Sequence, residues 1–466
     1  MNEAFPPEEL ERLRGLDARA LWHPFTQMRA YPDDDPPPPI VVSAEGHWLI
    51  AADGRRYLDA NSGYWCLTLG CRPERVESAI SRQLARFSHS TLLGLSHEPA
   101  IQLAARLVEL AGAPLEHVFF ADSGSEAVEV ALKMAYQYQV HQGHPEKCRF
   151  LALGEAYHGD TLGAVAVGGV ELFHGTFKPL LFPVHRVPPP FCYRCPWQLR
   201  PESCARECAQ AVENLLAQHA QELAALVIEP LLLGPGGIIP QPPGYLERIT
   251  AAARKQGVPV IFDEVAVGMG RLGRLFTHEE TGVKPDILCL AKGLTAGVLP
   301  LSAVLASNTI YKAFLGGFAE RKTFFHGHTF TGSALGCAAA LAALEVMTED
   351  GGTFLERVRR ETIPAFWTAL EPLRAHPLVG DLRGRGLMAG LELVANKETR
   401  EPFPWAKRMG HQAVLAARKR GVNIRAIGDL VLAVPPLTIH QDEIELLAGV
   451  LCEALDDVYG QQQKNA

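Results

Sequence analysis

The chain has 466 residues, 47% of them hydrophobic and 21% charged, and its formal net charge is −8. This composition is typical of a globular protein large enough for two domains. The negative charge argues against a nucleic-acid partner, because binding to phosphates requires a surplus of Lys and Arg.

The first 75 residues are predicted to form an N-terminal segment that contributes to a small domain. The opening MNEAFPPEELERLRG is acidic and contains prolines, so it lacks the pattern of a secretory signal, and no apolar run could cross a membrane. The ten cysteines are therefore expected to be reduced thiols in a cytoplasmic protein. Four prolines in YPDDDPPPPI, residues 31–40, favour an extended linker. The stretch after it predicts a hairpin or meander that turns at Asp53 and Gly54.

Residues 76–340 are predicted to form a large α/β domain. Helical patterns there alternate with the short apolar runs HVFFA, CRFLAL, ALVIEP, VPVIFDE and DILCLA. Short buried strands separated by helices indicate a mostly parallel sheet with helices on both faces. Residues 341–466 are predicted to form a smaller α+β domain. Because open α/β sheets bind ligands at the carboxyl ends of their strands, functional residues are expected there.

A helix start follows the strand HVFFA at Ser123-Gly-Ser-Glu126. Ser123 and Glu126 have the spacing of a capping box, in which each side chain accepts a hydrogen bond from the backbone of the other residue. Gly124 and Ser125 then lie at a helix N-terminus, where free N–H groups stabilise an anion such as phosphate. An ordinary capped helix without a ligand would show the same pattern.

Two carboxylates, Asp263 and Glu264, end the strand VPVIFDE. Burial of such groups is costly unless they are paired, so a charged partner or a protonated ring nitrogen is expected beside them. Residues 268–273 match G-x-G-x-x-G, but the polar stretch after them does not open a helix. These glycines are therefore expected to form a loop and not a nicotinamide site.

Tyr157 and His158 follow the strand CRFLAL, and Lys292 follows DILCLA. An aromatic ring at a strand end can stack on a planar ligand. A lysine in an apolar pocket has a lowered pKa and becomes nucleophilic toward a carbonyl carbon. Each residue also has an ordinary alternative, which is a packed aromatic ring, a hydrogen-bonded histidine or a lysine that reaches to water.

Together these groups predict a site for pyridoxal phosphate. The helix start would hold the phosphate, Tyr157 would stack on the ring, and Lys292 would bond the aldehyde carbon. Asp263 would keep the pyridine nitrogen protonated, so that the ring can accept electrons.

The order of the motifs S-G-S-E, Y-H-G, I-E-P, D-E-V and K-G resembles the class III aminotransferases, which are fold type I pyridoxal-phosphate enzymes. LWHPFTQM, HSTLLGLSHEPAIQLA and GVNIRAIGDLVLAVPPL are similar to the branch of that family that serves biotin synthesis. The resemblance covers nearly the whole chain and implies a mostly parallel α/β fold with a smaller α+β domain. It further implies a homodimer with active sites at the subunit interface, and conversion of 8-amino-7-oxononanoate to 7,8-diaminononanoate.

The resemblance also implies roles for individual residues. The catalytic residues would be Lys292, Asp263 and Tyr157. The residues that bind the cofactor would be Gly124, Ser125, Tyr157, His158, Glu229, Asp263, Lys292, His328 and Thr329. Of these, His328 and Thr329 would reach the phosphate held by the neighbouring subunit. The residues that bind substrate would be Phe25, Tyr64, Trp65, Gly327 and Arg425, with the arginine on the substrate carboxylate.

Three positions depart from the family members that use S-adenosylmethionine as amino donor. Phe25 and Leu432 stand where those proteins have tyrosine, and Tyr64 stands where they have tryptophan. These positions are expected to face the donor, and Phe25 resembles the members that use lysine. The sequence therefore leaves S-adenosylmethionine and lysine open as donors.

The segment FCYRCPWQLRPESCARECAQ holds two cysteine pairs with C-x2-C and C-x3-C spacing, Cys192, Cys195, Cys204 and Cys208. Four thiolates could bind a structural zinc ion tetrahedrally. The gap between the pairs is short for a zinc ribbon, and amino transfer needs no metal, so reduced thiols are the alternative.

Three other functions stay open at this point. A general ω-amine or ω-amino-acid transaminase would share every cofactor residue. A decarboxylase, racemase or aminomutase would share Asp263 and Lys292 but would have no need of Arg425. A non-enzymatic metal-binding protein built around the four cysteines would have no use for Lys292.

Overall fold

The computed structural model describes residues 4–464, so the first three and the last two residues of the predicted terminal segments lie outside the described residues. Its first strands are β1 (Val41–Glu45), β2 (Trp48–Ala51), β3 (Arg56–Asp59), β4 (Leu115–Ala121), β5 (Arg149–Leu153), β6 (His185–Val187), β7 (Leu223–Ile228), β8 (Leu232–Leu233) and β9 (Ile239–Pro240). The later strands are β10 (Val260–Asp263), β11 (Ile287–Leu290), β12 (Ser302–Ser307), β13 (Val379–Arg385), β14 (Met388–Leu393), β15 (Val422–Asn423), β16 (Arg425–Ile427) and β17 (Leu430–Ala433).

The helices are also given in chain order. Those of the first half are α1 (Pro7–Ala20), α2 (Ser62–Trp65), α3 (Glu74–Arg86), α4 (Glu98–Ala111), α5 (Gly124–His141), α6 (Leu162–Val167), α7 (Glu171–His174) and α8 (Glu207–His219). Those of the second half are α9 (Tyr245–Lys255), α10 (His278–Thr281), α11 (Asn308–Lys312), α12 (Ala334–Thr348), α13 (Thr353–Arg357), α14 (Ile363–Leu370), α15 (Met409–Lys419) and α16 (Gln441–Lys464).

Seven strands form a central sheet in the order β4-β12-β11-β10-β7-β5-β6. The five strands predicted from apolar runs are all in this sheet, as β4, β5, β7, β10 and β11. Successive residues of β10 belong to different hydrophobic cores, because Phe262 shares one with Ile249 of α9 whereas Ile261 shares another with Ala131 of α5. Helices therefore cover both faces, which explains the continuous apolar sequences of the strands. The mostly parallel α/β arrangement is confirmed, with β12 as an antiparallel strand that the sequence did not reveal.

The N-terminal strands share a sheet with a strand from near the end of the chain. The predicted meander is confirmed as β1, β2 and β3, and β15 adds to it parallel to β3. The turn between β2 and β3 contains Gly54 at a φ of +82°, a left-handed value that glycine adopts without strain. This pairing joins the N-terminal segment to the C-terminal part of the chain, as a shared small domain requires.

The proline-rich stretch is not a free linker. After a 3-10 turn at Tyr31–Asp33 it has no helix or strand before β1. However, Asp34 Oδ1 lies 2.8 Å from His411 Nε2, and Arg418 Nη1 donates to the Pro36 carbonyl over 3.0 Å. Both contacts come from α15, so the extended stretch is packed onto this helix.

A second antiparallel sheet, in the order β13-β14-β17-β16, lies in the C-terminal part of the chain. Its core includes Leu391 of β14, Phe366 of α14 and Leu451 of α16. This core fits the predicted α+β character of residues 341–466. Within the described residues, no helix combines the length and the apolar character needed to span a membrane.

Candidate active site

The helix α5 begins at the predicted capping box. Ser123 Oγ accepts from the Glu126 N–H over 3.3 Å, and Glu126 Oε2 accepts from the Ser123 N–H over 2.8 Å. A Cβ built on Gly124 would lie 2.6 Å from Val265 Cγ1, so a side chain has no room there. The first N–H groups of the helix have no intrahelical acceptor and are available to an anion.

The carboxylate of Asp263, at the end of β10, is buried but fully partnered. His158 Nδ1 lies 2.7 Å from Asp263 Oδ2, and the Val265 N–H donates to Oδ1 over 3.0 Å. Burial lowers the pKa of His158, but the hydrogen bond and charge of Asp263, with Glu229 nearby, outweigh burial and raise it. The predicted charged partner of Asp263 is therefore His158.

Glu229, directly after β7, is buried close to the same pair. Its Oε1 accepts from the Tyr157 N–H and its Oε2 from the Gly234 N–H, each over 2.9 Å. Burial raises the pKa of Glu229 to about 7, although His158 opposes the rise. This carboxyl group fixes the backbone at Tyr157 and so connects the ends of β5 and β7.

The Tyr157 ring is held at both ends. Its hydroxyl donates to Asp160 Oδ2 over 2.8 Å, and the Asp160 N–H donates to Ser125 Oγ over 3.1 Å. Burial and the hydrogen bond to Asp160 raise the pKa of the Tyr157 hydroxyl. Sequence reasoning missed Asp160, although the residue stands in the Y-H-G-D motif, because its contact with Ser125 at the start of α5 joins residues 35 positions apart.

Lys292 lies two residues after β11, at a φ of +47°. This left-handed value is uncommon for a residue with a side chain and is found at functional sites. Its Nζ is 5.1 Å from the Trp65 ring and 5.9 Å from the Tyr64 ring. Burial lowers the pKa of Lys292, although the charges of Asp263 and Glu229 oppose the shift. A neutral amine is thus favoured more than for a lysine in water.

A single cavity of about 340 Å³ brings these groups together. It lies at the carboxyl ends of β4, β5, β7, β10 and β11, where the sequence predicted a ligand site. Its lining includes Tyr64, Ser123, Gly124, Ser125, Tyr157, His158, Glu229, Asp263 and Lys292. All the predicted catalytic residues therefore converge on one site.

Arg425 and aromatic side chains form a group beside the cavity. The Arg425 guanidinium carbon lies 4.5 Å from the Tyr64 ring and 5.5 Å from the Phe25 ring. Phe25 packs edge-on against Phe173 at 5.2 Å, and Phe173 contacts the Tyr157 ring at 6.1 Å. The Arg425 cation and the apolar wall formed by Phe25 and Phe173 thus lie beside the cavity, and Tyr64, which lines the cavity, contacts the arginine.

Other predicted residues lie away from the cavity. Leu432 pairs with Arg425 across β16 and β17, but its side chain is fully buried and does not line the cavity, so the expectation that it faces the donor is wrong. Gly327, His328 and Thr329 lie in a segment without helix or strand, and they do not line this chain's cavity. The four cysteines line a separate cavity.

Glu264 does not have the charged partner that the sequence predicted. Its oxygens accept hydrogen bonds from the backbone and hydroxyl of Thr277, and burial raises the pKa of Glu264 to about 7. Two hydrogen-bond donors therefore replace an ion pair. Residues 268–273 form the expected loop, and the next helix, α10, begins only at His278 and has four residues.

This geometry defines a class of enzyme. A lysine with a lowered pKa, a buried carboxylate and a helix N-terminus at one edge of a sheet can bind the aldehyde, the pyridine nitrogen and the phosphate of pyridoxal phosphate. The residues fit that cofactor, since Gly124 keeps the helix start open and His158 supports the charge of Asp263. The site is that of a pyridoxal-phosphate enzyme.

The family follows from comparison with known proteins. The model of the family "Aminotransferase class-III" matches residues 30–455, so the chain belongs to the class III aminotransferases and is a pyridoxal-phosphate-dependent transaminase. It is 50% identical over 446 residues to the adenosylmethionine-8-amino-7-oxononanoate aminotransferase of Nitratidesulfovibrio vulgaris, which covers 95% of this chain and 81% of that protein.

Two solved structures are similar over nearly their whole length. The adenosylmethionine-8-amino-7-oxononanoate aminotransferase of Methanocaldococcus jannaschii is 41% identical, with a TM-score of 0.91 over 96% of this chain and 99% of that one. An (S)-enantioselective ω-transaminase of Thermomicrobium roseum is 33% identical, with a TM-score of 0.90 over 98% of this chain and 100% of that one. Both confirm the fold predicted from the sequence.

Proposed function

We propose that this chain transfers an amino group to 8-amino-7-oxononanoate and so forms 7,8-diaminononanoate for biotin synthesis. The observation that carries the proposal is Arg425, 4.5 Å from a ring that lines the cavity and beside an apolar wall. One arginine fits an acceptor with one carboxylate, and the aromatic wall fits its methylene chain. The names of the similar proteins from Nitratidesulfovibrio and Methanocaldococcus support the same substrate.

The cofactor would be held by the groups that line the cavity. The Gly124 and Ser125 N–H groups would bind the phosphate, and Tyr157 would lie against the ring. Asp263 would accept a hydrogen bond from the pyridine N–H, with His158 and its raised pKa stabilising the carboxylate charge. When bound, pyridoxal phosphate supplies an electrophilic carbon and an electron-accepting ring, which let an amino group leave a donor and pass to a ketone.

Lys292 would act as the base and then as the acid of both half-reactions. Because burial lowers its pKa, Nζ gives up its proton more readily than a lysine in water, and the neutral amine can accept a proton from the carbon of the donor. In the first half-reaction it would pass that proton to the cofactor, and in the second it would donate a proton to the carbon of the acceptor, so Nζ would begin each half-reaction as a base. Glu229 would be a positioning residue, since its carboxyl group accepts a hydrogen bond from the Tyr157 N–H and its charge lies close to the other ionisable groups of the site.

The amino donor is proposed to be S-adenosylmethionine or lysine, and a single half-reaction separates the two. The pyridoxal form of the purified enzyme is mixed with each amine in turn, in the absence of acceptor, and the absorbance of the bound cofactor is followed. The true donor should convert the cofactor to its amino form, and 8-amino-7-oxononanoate should then restore the starting spectrum. A Phe25→Tyr variant tests the role of the missing hydroxyl, which should change donor preference and leave the acceptor half-reaction intact.

A general ω-amine transaminase is the second candidate, favoured by the similarity to the Thermomicrobium enzyme. The same experiment decides between the two functions. Conversion by alanine or simple ω-amines, together with no turnover of 8-amino-7-oxononanoate, would contradict the biotin assignment and support this alternative.

A homodimer is proposed because part of the predicted cofactor-binding set lies outside the cavity of its own chain. His328 and Thr329 lie between Phe325 and Phe330, which are 82% and 56% exposed. Phe330 contacts His89 at 5.1 Å, and Leu93 close by in sequence is 89% exposed. A second copy of the chain would cover this apolar surface and would bring the two residues to its phosphate site.

A further inference from the structure

Residues 188–206, between β6 and α8, form a loop without helix or strand. Connections longer than about 12–15 residues are uncommon in compact domains unless they carry a function. None of residues 191–206 is fully buried, so the loop has little core of its own. Something other than backbone pairing and apolar burial is needed to give it one conformation.

The beginning of this loop is fixed to the sheet β13-β14-β17-β16. The Phe191 ring lies 4.6 Å from the guanidinium carbon of Arg383 in β13. Arg194 Nε donates to Glu392 Oε1 of β14 over 2.6 Å. The loop therefore connects the last strand of the central sheet with the C-terminal sheet, and its conformation matters for how the two are joined.

Four cysteines supply thiol groups, which can bind a metal ion, at this loop. They line one cavity of about 310 Å³, and all four are free thiols: Cys192, Cys195, Cys204 and Cys208. One residue of each pair lies at a turn, because Cys195 O accepts from the Gln198 N–H over 2.9 Å and the Cys204 N–H donates to Arg200 O over 3.0 Å. Two cysteines near the start of the loop thus line the same cavity as Cys204 near its end and Cys208 in the first turn of α8.

We propose that Cys192, Cys195, Cys204 and Cys208 together bind one structural zinc ion. Four thiolates are soft ligands that suit zinc in a tetrahedral site. Four Zn–S bonds form while four S–H protons leave to solvent, so the step needs no oxidant or reductant. Arg206, which lines the same cavity, would offset part of the negative charge of the site.

Binding must draw the loop inward. Sulfur atoms around zinc lie about 3.8 Å apart, because tetrahedral Zn–S bonds are about 2.3 Å long. In the described structure no three of these four sulfur atoms lie within 4.8 Å of one another. Cys208 lies in the first turn of α8, whereas the other three cysteines lie in the segment without helix or strand, so binding would draw the loop toward this helix.

A nearby group of imidazoles is the competing site for a metal. His185 Nε2 lies 3.0 Å and His219 Nδ1 lies 2.6 Å from Glu222 Oε1. However, Arg149 Nε lies 3.0 Å from the other oxygen of Glu222 and already neutralises its charge. The four cysteines offer one more ligand than this group, and their thiolates are softer, so they are the stronger site for zinc, and His219 provides a control.

The test is metal analysis of the full-length enzyme with its cofactor, purified from zinc-supplemented cultures. We expect about one zinc per chain, and a fall of at least about tenfold in Cys204→Ser and in Cys192→Ser. Cys148→Ser, which alters an exposed cysteine elsewhere, and His219→Ala should both retain the metal. Chelation should lower the unfolding temperature of the wild-type protein more than that of Cys204→Ser, while the cofactor absorbance at low temperature stays unchanged.

A second measurement needs no variant that could fail to fold. Cobalt added to the chelated wild-type enzyme should give the absorption of a tetrahedral thiolate site in the red, where pyridoxal phosphate does not absorb. Loss of zinc in His219→Ala with retention in both cysteine variants would overturn the proposal. So would iron in place of zinc, or metal-free protein whose ten thiols all titrate and which takes up no cobalt.

Discussion

Replacement of Gly124 by alanine tests whether the helix start and the end of β10 enclose the cofactor as tightly as the structure indicates. The added Cβ would lie 2.6 Å from Val265 Cγ1 and 3.2 Å from Val265 Cγ2. Carbon atoms in contact are about 3.5–4.0 Å apart, so the two walls must separate by about 1 Å. Because Asp263 precedes Val265 by two residues, this movement changes the distance between the phosphate site and the carboxylate.

The expected cost can be given from the packing of the site. An extra methyl group in a well-packed region costs about 1–3 kcal/mol, which corresponds to about 5- to 150-fold weaker cofactor binding. The assay is titration of the cofactor-free protein with pyridoxal phosphate, followed by absorbance. Val265→Ala removes both Cγ atoms, so the double variant should recover most of the affinity in a double-mutant cycle.

Gly449→Ala is the matched control, because nothing lies within 4 Å of a Cβ built at this position in α16. It should bind the cofactor with wild-type affinity. If Gly124→Ala also binds normally, or if Val265→Ala does not rescue it, the contact between α5 and the end of β10 does not shape the site.

Three further outcomes are expected. Arg425→Ala should lower kcat/KM for 8-amino-7-oxononanoate by about 10- to 150-fold, since a charge-assisted hydrogen bond contributes about 1.5–3 kcal/mol. Arg425→Lys should recover only part of the lost kcat/KM. If Arg425→Ala lowers kcat/KM equally for an acceptor without a carboxylate, Arg425 does not bind the substrate carboxylate. Because the folded state lowers the pKa of Lys292, the unfolded chain binds more protons below pH 10.5 and stability rises with pH toward that value. Lys292→Met should therefore stabilise the cofactor-free protein to urea near neutral pH, with a gain that shrinks as pH rises toward 10.5; a gain independent of pH would refute this reasoning. Inactive Lys292→Ala and His328→Ala proteins, mixed and allowed to exchange subunits, should regain about a quarter of wild-type activity. Half of the dimers are then mixed, and each mixed dimer has one of its two sites intact, because that site takes Lys292 from one chain and His328 from the other. No recovery of activity would argue against a site shared between subunits.

The sequence determined the features that depend on neighbouring residues. The Ser123 and Glu126 capping box, the turn at Gly54 and the strands of the central sheet were all predicted and are present. Their hydrogen bonds and apolar periodicity involve residues a few positions apart, so the pattern is visible in the chain itself. β12 escaped prediction because it adds to the sheet through long-range antiparallel pairing with β4 and β11.

The tertiary structure decided which groups meet. The pairing of His158 with Asp263, 105 positions apart, and the contact of Arg425 with Tyr64 depend on how separate elements pack. The same holds for Leu432, which the sequence placed at the donor and which packing buries in the core. Residue identity fixes what a side chain can do, but burial and distance across the fold fix whether it reaches the substrate. For that reason the sequence could predict that Lys292 and Asp263 meet at the cavity of this transaminase, whereas it could not predict that Leu432 is buried away from it.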